Sequence, residues 1–117
     1  MDQDWSDEIV VANLADEPAL SDELRAVEQR VREAADDRAP HVVLNFSDVT
    51  HLNSSTLALM LTLRRTVQEG AGRRLCLCSL SDDVRSVLRV SRLYKMFHEA
   101  PDPATAIASL QVGGEQG

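Results

Sequence analysis

A cluster of hydroxyl and amide side chains is the part of this sequence best suited to chemistry. The run Asn53-Ser54-Ser55-Thr56 stands between a hydrophobic, strand-like segment and a strongly apolar, helix-like one. One interpretation is structural: Asn53 caps the helix and the two serines occupy its first two positions. Capping accounts for Asn53 but gives no role to the adjacent serines or to the threonine. These hydroxyl groups are therefore candidates for binding or modification.

Other residue types that carry chemistry lack the spacing that chemistry requires. His41, His51 and His98 are scattered along the chain without the intervals typical of metal ligands. Cys76 and Cys78 stand two apart in an apolar run, so on a strand both point to one face and make a poor disulfide. A metal would need two ligands beyond this pair. We expect buried thiols, no metal site and no cofactor.

The sequence also lacks the signatures of common enzymes. No serine stands in a Gly-x-Ser-x-Gly turn, no glycine-rich phosphate loop follows a strand, and no acids are paired in a pocket-like context. His51 precedes Asn53 by two residues and could be imagined as a base for Ser55, but a loop histidine of this kind is more often simply solvated. We expect no catalytic residue and no enzymatic activity.

Length and charge narrow the function classes further. The 117 residues fit one domain, residues 1–117, with a core over about 8–110. The net charge of −7 argues against nucleic acid as a partner and favours a protein with a basic patch. No apolar run approaches the roughly 20 residues that cross a bilayer, and the first residues are acidic, unlike a signal peptide. We expect a cytoplasmic monomer that does not insert into membranes.

Hydrophobic periodicity outlines the first half of the fold. Residues 8–14 predict a strand, and the apolar stripe over 20–34 predicts an amphipathic helix capped by Ser21. The unbroken hydrophobicity of 41–46 is typical of a strand buried on both faces. A turn-like stretch leads from there into a helix that starts near Asn53.

The same signals continue through the second half. The helix from Asn53 ends before the glycines in 70–72, and 73–80 predicts another buried strand. Ser81 is expected to cap a third helix and Asp102 a fourth, with a short strand over 95–99 between them. We expect residues 113–117 to form a frayed tail. The expected inner side of the fourth helix consists of Ala104, Ile107, Ala108 and Leu110. Strand and helix alternate almost throughout, which predicts an α/β fold with a mainly parallel sheet.

The segment 44–57 resembles the STAS domains of anti-sigma factor antagonists. In that family a strand, a Val-Thr/Ser-x-hydrophobic turn and the motif Asp-Ser-Ser-Gly-Leu precede a helix. Here Val49-Thr50-His51-Leu52 leads into Asn53-Ser54-Ser55-Thr56-Leu57. The likeness extends over about residues 8–110, through the strand that ends at Leu80 and the segment 84–97. It implies a STAS-like single domain with a mostly parallel, mixed sheet of four to five strands and about four helices.

The resemblance also implies a mode of action. In that family a partner serine kinase, which doubles as an anti-sigma factor, phosphorylates the second serine of the pair, and the unphosphorylated form binds the partner. On this chain the phosphoacceptor would be Ser55, with Ser54 as the alternative. The expected partner-binding residues are Asn53, Ser54, Ser55, Thr56, Ser47 and Asp48. A phosphate at the second position of a helix meets free N–H groups, so it should alter partner affinity without unfolding the helix.

Two departures from the family motif leave other functions open. Asn53 stands where the family usually has Asp, and Thr56 where it usually has Gly. One alternative is a constitutive scaffold module that is never phosphorylated and holds a signalling assembly together. Another is a STAS subunit of a transport complex. Phosphate incorporation by a cognate kinase would distinguish the phosphorylation-controlled antagonist from the scaffold. Capture together with membrane components would test the transport role.

Overall fold

The structure, a computed structural model, describes residues 3–5, 9–33, 41–69 and 73–116. Its elements in chain order are β1 (Gln3–Trp5), β2 (Ile9–Ala15), α1 (Ala19–Glu33), β3 (His41–Asp48), α2 (Ser54–Gln68), β4 (Leu75–Cys78), α3 (Asp82–Val90), a 3-10 helix (Leu93–Met96), β5 (His98–Ala100) and α4 (Pro103–Gln116). The segments predicted to terminate α1 and α2, the latter at 70–72, lie outside the described residues.

The sheet has five strands in the order β1-β2-β3-β4-β5. The four strands from β2 to β5 pair in parallel, and β1 pairs with β2 antiparallel. This mixed sheet, with four α-helices in the described residues, confirms the predicted α/β fold with a mostly parallel sheet. The sequence analysis did not predict β1, because its three residues carry no alternating hydrophobic pattern that would mark a strand.

Both faces of the sheet are covered, which explains why β4 is hydrophobic along its whole length and why the run 42–44 within β3 is apolar without alternation. Helices α1, α2 and α3 pack on one face, where Leu44 and Phe46 are buried. Helix α4 packs on the other face against Val43, Cys76 and Cys78. The expected buried thiols are thus confirmed, and burial, the largest cause, raises the pKa of Cys76 to about 11.

Three side chains cap helices as predicted. Asn53 Oδ1 accepts a 2.8 Å hydrogen bond from the N–H of Thr56 at the start of α2. Ser81 Oγ accepts from Val84 at 3.2 Å, and Asp102 Oδ1 accepts from the N–H of Thr105 at 2.7 Å. Each bond satisfies one of the N–H groups that the first turn of a helix leaves without an intrahelical partner.

The prediction that Ser21 caps α1 is wrong. Helix α1 begins at Ala19, and Ser21 lies inside its first turn. The capping carboxylate is that of Glu17, which accepts from the N–H of Ser21 at 2.9 Å and from its hydroxyl at 2.6 Å. Glu17, which lies two residues before the helix and has a longer side chain, therefore caps α1 in place of the serine.

Helix α4 differs from its predicted form in two respects. Ala106 and Leu110 are buried and Ile107 is half-buried, whereas Ala104 and Ala108 are exposed. The buried face of α4 is therefore rotated relative to the predicted one. Alanines at the margin of an apolar stripe add little to it, so the sequence pattern does not fix whether they are buried. The helix also runs to Gln116, into the segment predicted to fray, since extending an existing helix costs far less than starting one.

The remaining strands shift by a few residues from the predicted limits. Strand β3 runs on to Asp48, so Ser47 and Asp48 are the last residues of a strand and not a loop. Strand β4 is shorter than predicted, and part of the predicted last strand is the 3-10 helix Leu93–Met96. Among the described residues, no helix combines the length and the hydrophobicity needed to span a bilayer.

Candidate partner-binding site

The candidate site lies at the carboxyl edge of the parallel strands, where β3 leads into α2. The pairing of β2 with β3 contains one extra residue in β3 at this edge: Asn13 of β2 pairs with Asn45, but Ala15 pairs with Asp48. Such a bulge bends the end of a strand and is common beside functional sites. Ser47 and Asp48 follow the shift, and both are exposed.

The connection from β3 to α2 is held at several points. Val49 and Leu52 are buried in the core. Between them, Thr50 donates two hydrogen bonds to Asp16, from its N–H at 2.8 Å and from its hydroxyl at 2.7 Å. A short connection anchored by two apolar side chains and a bidentate carboxylate presents the start of α2 in a defined position.

The first turn of α2 separates its polar side chains into two groups. Asn53, Ser54 and Ser55 are exposed, and the serines are the first two residues of the helix. Thr56 is fully buried, with 0% of its surface exposed. The prediction that Thr56 contacts a partner therefore needs correction: its side chain faces the interior and offers no surface for binding.

Glu17 explains how a threonine hydroxyl is accommodated inside. The Thr56 hydroxyl lies 2.7 Å from Glu17 Oε2 and 3.0 Å from Asn53 Oδ1, and its single proton can be donated to either acceptor. The same Glu17 carboxylate caps α1 through Ser21. One acidic side chain thus joins the starts of two helices.

The acids beneath the site are held in their ionised form. Hydrogen bonds from the backbone and hydroxyl of Thr50 lower the pKa of Asp16 below its usual 3.8. Bonds from Ser21 and then Thr56 lower the pKa of Glu17 below its usual 4.5. At neutral pH both carboxylates are charged, so they accept hydrogen bonds and donate none.

The sequence analysis did not find Asp16 and Glu17 as site residues. A signal was present, since Asp-Glu-Pro directly before an amphipathic stripe is typical of a helix start. The pairing itself is not visible in the sequence, because the partners Thr50 and Thr56 come more than thirty residues later.

His51, the residue considered as a base for Ser55, lies against its neighbour Thr50. His51 is exposed, and its Nδ1 lies 3.4 Å from the hydroxyl of the neighbouring Thr50. No group of three or more metal-ligating side chains comes together among the described residues. The site presents exposed hydroxyl and amide side chains on a connection that is held by hydrogen bonds.

Comparison with known proteins agrees with this architecture. The model of the STAS domain family matches residues 17–106. A search of curated protein sequences found no match. The structure superposes on an anti-sigma-factor antagonist (STAS) domain protein from Planctomyces limnophilus with a TM-score of 0.80 at 15% identity, covering 94% of this chain and 97% of that chain.

Two further solved structures show the same fold. The Bacillus cell fate determinant SpoIIAA in its phosphorylated form superposes with a TM-score of 0.68 at 20% identity, covering 93% of this chain and 97% of that one. The anti-sigma factor antagonist SpoIIAA in its unphosphorylated form gives a TM-score of 0.67 at 18% identity, with 94% and 96% covered.

Proposed function

The chain belongs to the STAS domain family, and we propose that it is a regulatory binding module of the anti-sigma factor antagonist type. It acts in the cytoplasm as a monomeric single domain, by binding a protein partner and not by catalysis. The observation that carries this proposal is the exposed Ser55 at the second position of α2, on a turn held by Glu17 and Asn53.

The proposed control is phosphorylation of Ser55 by a partner serine kinase that is also the anti-sigma factor. A phosphate brings about −1.5 to −2 charges at neutral pH. At the start of a helix, free N–H groups and the helix dipole favour this charge. The new charge therefore leaves the fold intact and acts on the partner, which must desolvate a dianion to stay bound.

The proposed contact surface consists of Asn53, Ser54, Ser55, Ser47 and Asp48, all of them exposed. Thr56 supports this surface from below. Thr56 stands where the family usually has glycine, and because its β-branched side chain is buried it adds no bulk to the exposed surface around Ser55. Asn53 performs the capping role of the family's aspartate through its Oδ1.

Intact-protein mass spectrometry of the protein purified from its native host tests the proposal. We expect a species heavier by one phosphate, mapped to Ser55, that is lost in Ser55→Ala and kept in Ser54→Ala. If the phosphorylated species is retained in Ser55→Ala and lost in Ser54→Ala, the phosphoacceptor is Ser54.

A protein without phosphate under all growth and stress conditions would contradict phosphorylation control. A constitutive scaffold, in a signalling assembly or a transport complex, would then be the better description. Co-purification of the same partner with wild type and Ser55→Ala would support that scaffold, and co-purification of membrane components would indicate the transport role.

A further inference from the structure

A second surface feature lies between the C-terminal half of α2 and the 3-10 helix. There the surface forms an open cavity of about 330 Å³, lined by Leu61, Arg64, Arg65, Gln68, Glu69 and Met96. We call it the basic groove. Because the helix rises about 1.5 Å per residue, Gln68 lies roughly 20 Å along α2 from Ser55. The basic groove and the proposed phosphorylation site therefore occupy opposite ends of one helix.

The chain segment that supplies Met96 to the basic groove also carries the other large exposed hydrophobic side chains. Among the described side chains, the large hydrophobic ones that are exposed are Val90 at 84%, Tyr94 at 46% and Met96 at 39%. They follow one another within seven residues, from the end of α3 through the 3-10 helix, and Met96 lines the groove itself. Apolar side chains gathered at one place on a surface are typical of an interaction site.

The lining of the basic groove carries two cations, Arg64 and Arg65, and one acid, Glu69, in a chain whose net charge is −7. The segment that leads from the end of α3 to Met96 adds the cationic residues Arg89, Arg92 and Lys95. Within the described part of the chain, the guanidinium groups of Arg65, Arg89 and Arg92 form no ion pair or hydrogen bond. Their charge is therefore available to a partner.

Arg64 is already oriented toward such a role. Its Nε donates a 2.6 Å hydrogen bond to the backbone carbonyl of Met96, which ties α2 to the 3-10 helix. A guanidinium group fixed through Nε keeps its other N–H donors for a carboxylate, and less conformational entropy is lost when one binds. Charge and hydrophobic surface thus meet at a position that is ordered before binding.

We propose that the basic groove docks an acidic amphipathic segment of a second protein. Its apolar side chains would pack against Leu61, Tyr94 and Met96, and its carboxylates would pair with the arginines at the rim. Complementary charge is what favours this occupant: the negative charge of the rest of the molecule opposes a long polyanion such as nucleic acid, but a short acidic segment meets mainly the local positive charge.

Binding of a synthetic helical peptide tests this proposal. The probe carries leucines at helical spacing and glutamates on its other positions, and a matched peptide carries lysines in place of the glutamates. By fluorescence anisotropy we expect the full chain to bind the glutamate peptide, more weakly at high salt, and not the lysine peptide. Arg65→Glu should weaken binding about tenfold, equivalent to about 1.4 kcal/mol. Tyr94→Ser should weaken it through loss of apolar contact.

One control variant locates the effect. Arg25→Glu reverses an exposed charge on α1 and should leave the affinity unchanged. Peptide binding does not depend on a phosphate on Ser55, so failure of this proposal and failure of phosphorylation control are separate results. Arg65 and Tyr94 are exposed, and circular dichroism checks that their variants remain folded.

Three results would overturn the proposal. The first is equal affinity for the glutamate and lysine peptides. The second is affinity that neither Arg65→Glu nor Tyr94→Ser alters. The third is a dimer in sedimentation experiments that Arg65→Glu dissociates while the glutamate peptide does not bind, which would assign the groove to a second copy of this chain.

Discussion

The hydroxyl of Thr56 lies 2.7 Å from the Glu17 carboxylate, and this hydrogen bond connects the first turn of α2 to the residue that caps α1. The two residues are 39 positions apart in the chain. Thr56 is buried and the neighbouring Ser55 is exposed, so the bond fixes which side of the turn faces the solvent. The position of the candidate phosphoacceptor thus depends on a tertiary contact.

Replacing Thr56 by valine tests the contribution of this bond. Thr56→Val keeps the shape and removes the hydroxyl, so we expect the free energy of unfolding to fall by about 1 kcal/mol. Urea denaturation measures the change. Thr62→Val on the same helix removes only an exposed bond to the carbonyl of Ala58, and it should cost less. Equal losses for the two variants would argue against a special role for Glu17.

The cap at Asn53 makes a separate prediction about the family's aspartate. Asn53→Ala removes the acceptor of the Thr56 N–H and should lower the free energy of unfolding by about 1 kcal/mol. Asn53→Asp restores an acceptor and should match wild type within a few tenths of a kcal/mol. Thermal unfolding compares the three proteins. A large loss in Asn53→Asp would mean that the amide makes a contact that a carboxylate cannot replace.

A charge at Ser55 is expected to be tolerated because of its place in the helix. Ser55→Asp puts a negative charge at the N-terminal end of α2, which should stabilise the helix by about 0.5 kcal/mol or leave it unchanged. Ser91→Asp puts the same charge at the C-terminal end of α3 and should destabilise. The melting temperatures of both variants, compared with that of wild type, measure these changes in stability. Unfolding of Ser55→Asp would contradict a switch that acts on affinity alone.

The lowered pKa values of Asp16 and Glu17 predict how stability changes in acid. Since both carboxyls have a lower pKa folded than their usual 3.8 and 4.5, their stabilising effect is complete above those values. It is lost as the pH falls through the lower, folded pKa values. The double variant Asp16→Asn with Glu17→Gln should therefore differ from wild type most at neutral pH.

Urea unfolding near pH 7 and near pH 3 checks this dependence. We expect the gap between wild type and the double variant to narrow at the acidic pH, where the wild-type carboxyls gain protons. A gap of the same size at both pH values would show that the two acids act through their shape and not through their charge.

The sequence predicts local features of this protein well and tertiary contacts poorly. Caps such as Asn53, Ser81 and Asp102 were predictable because each acceptor and its N–H lie within three residues. The buried strands were predictable because covering both faces of a sheet requires an unbroken apolar run. Local signals of this kind predict the order of most helices and strands.

The error at Thr56 has a tertiary cause, the contribution of Glu17, a residue distant in the sequence. Ser21 has the residue type of a cap, but the acceptor at the start of α1 is Glu17, four positions earlier, which accepts from the N–H of Ser21 and also from the hydroxyl of Thr56. Thr56 was expected at the surface because it belongs to a polar run, and it is inside because Glu17 supplies an acceptor there. The basic groove is equally hidden in the sequence, since its lining comes from α2 and from Met96.

The order of the strands has a further consequence for behaviour at high concentration. The strands at the two edges of the sheet, β1 and β5, have three residues each, and the longer β2 and β3 are paired on both sides. A short edge offers few open backbone groups to the edge of another molecule, which limits uncontrolled strand addition. Two copies of this chain therefore have little open strand edge through which their sheets could join.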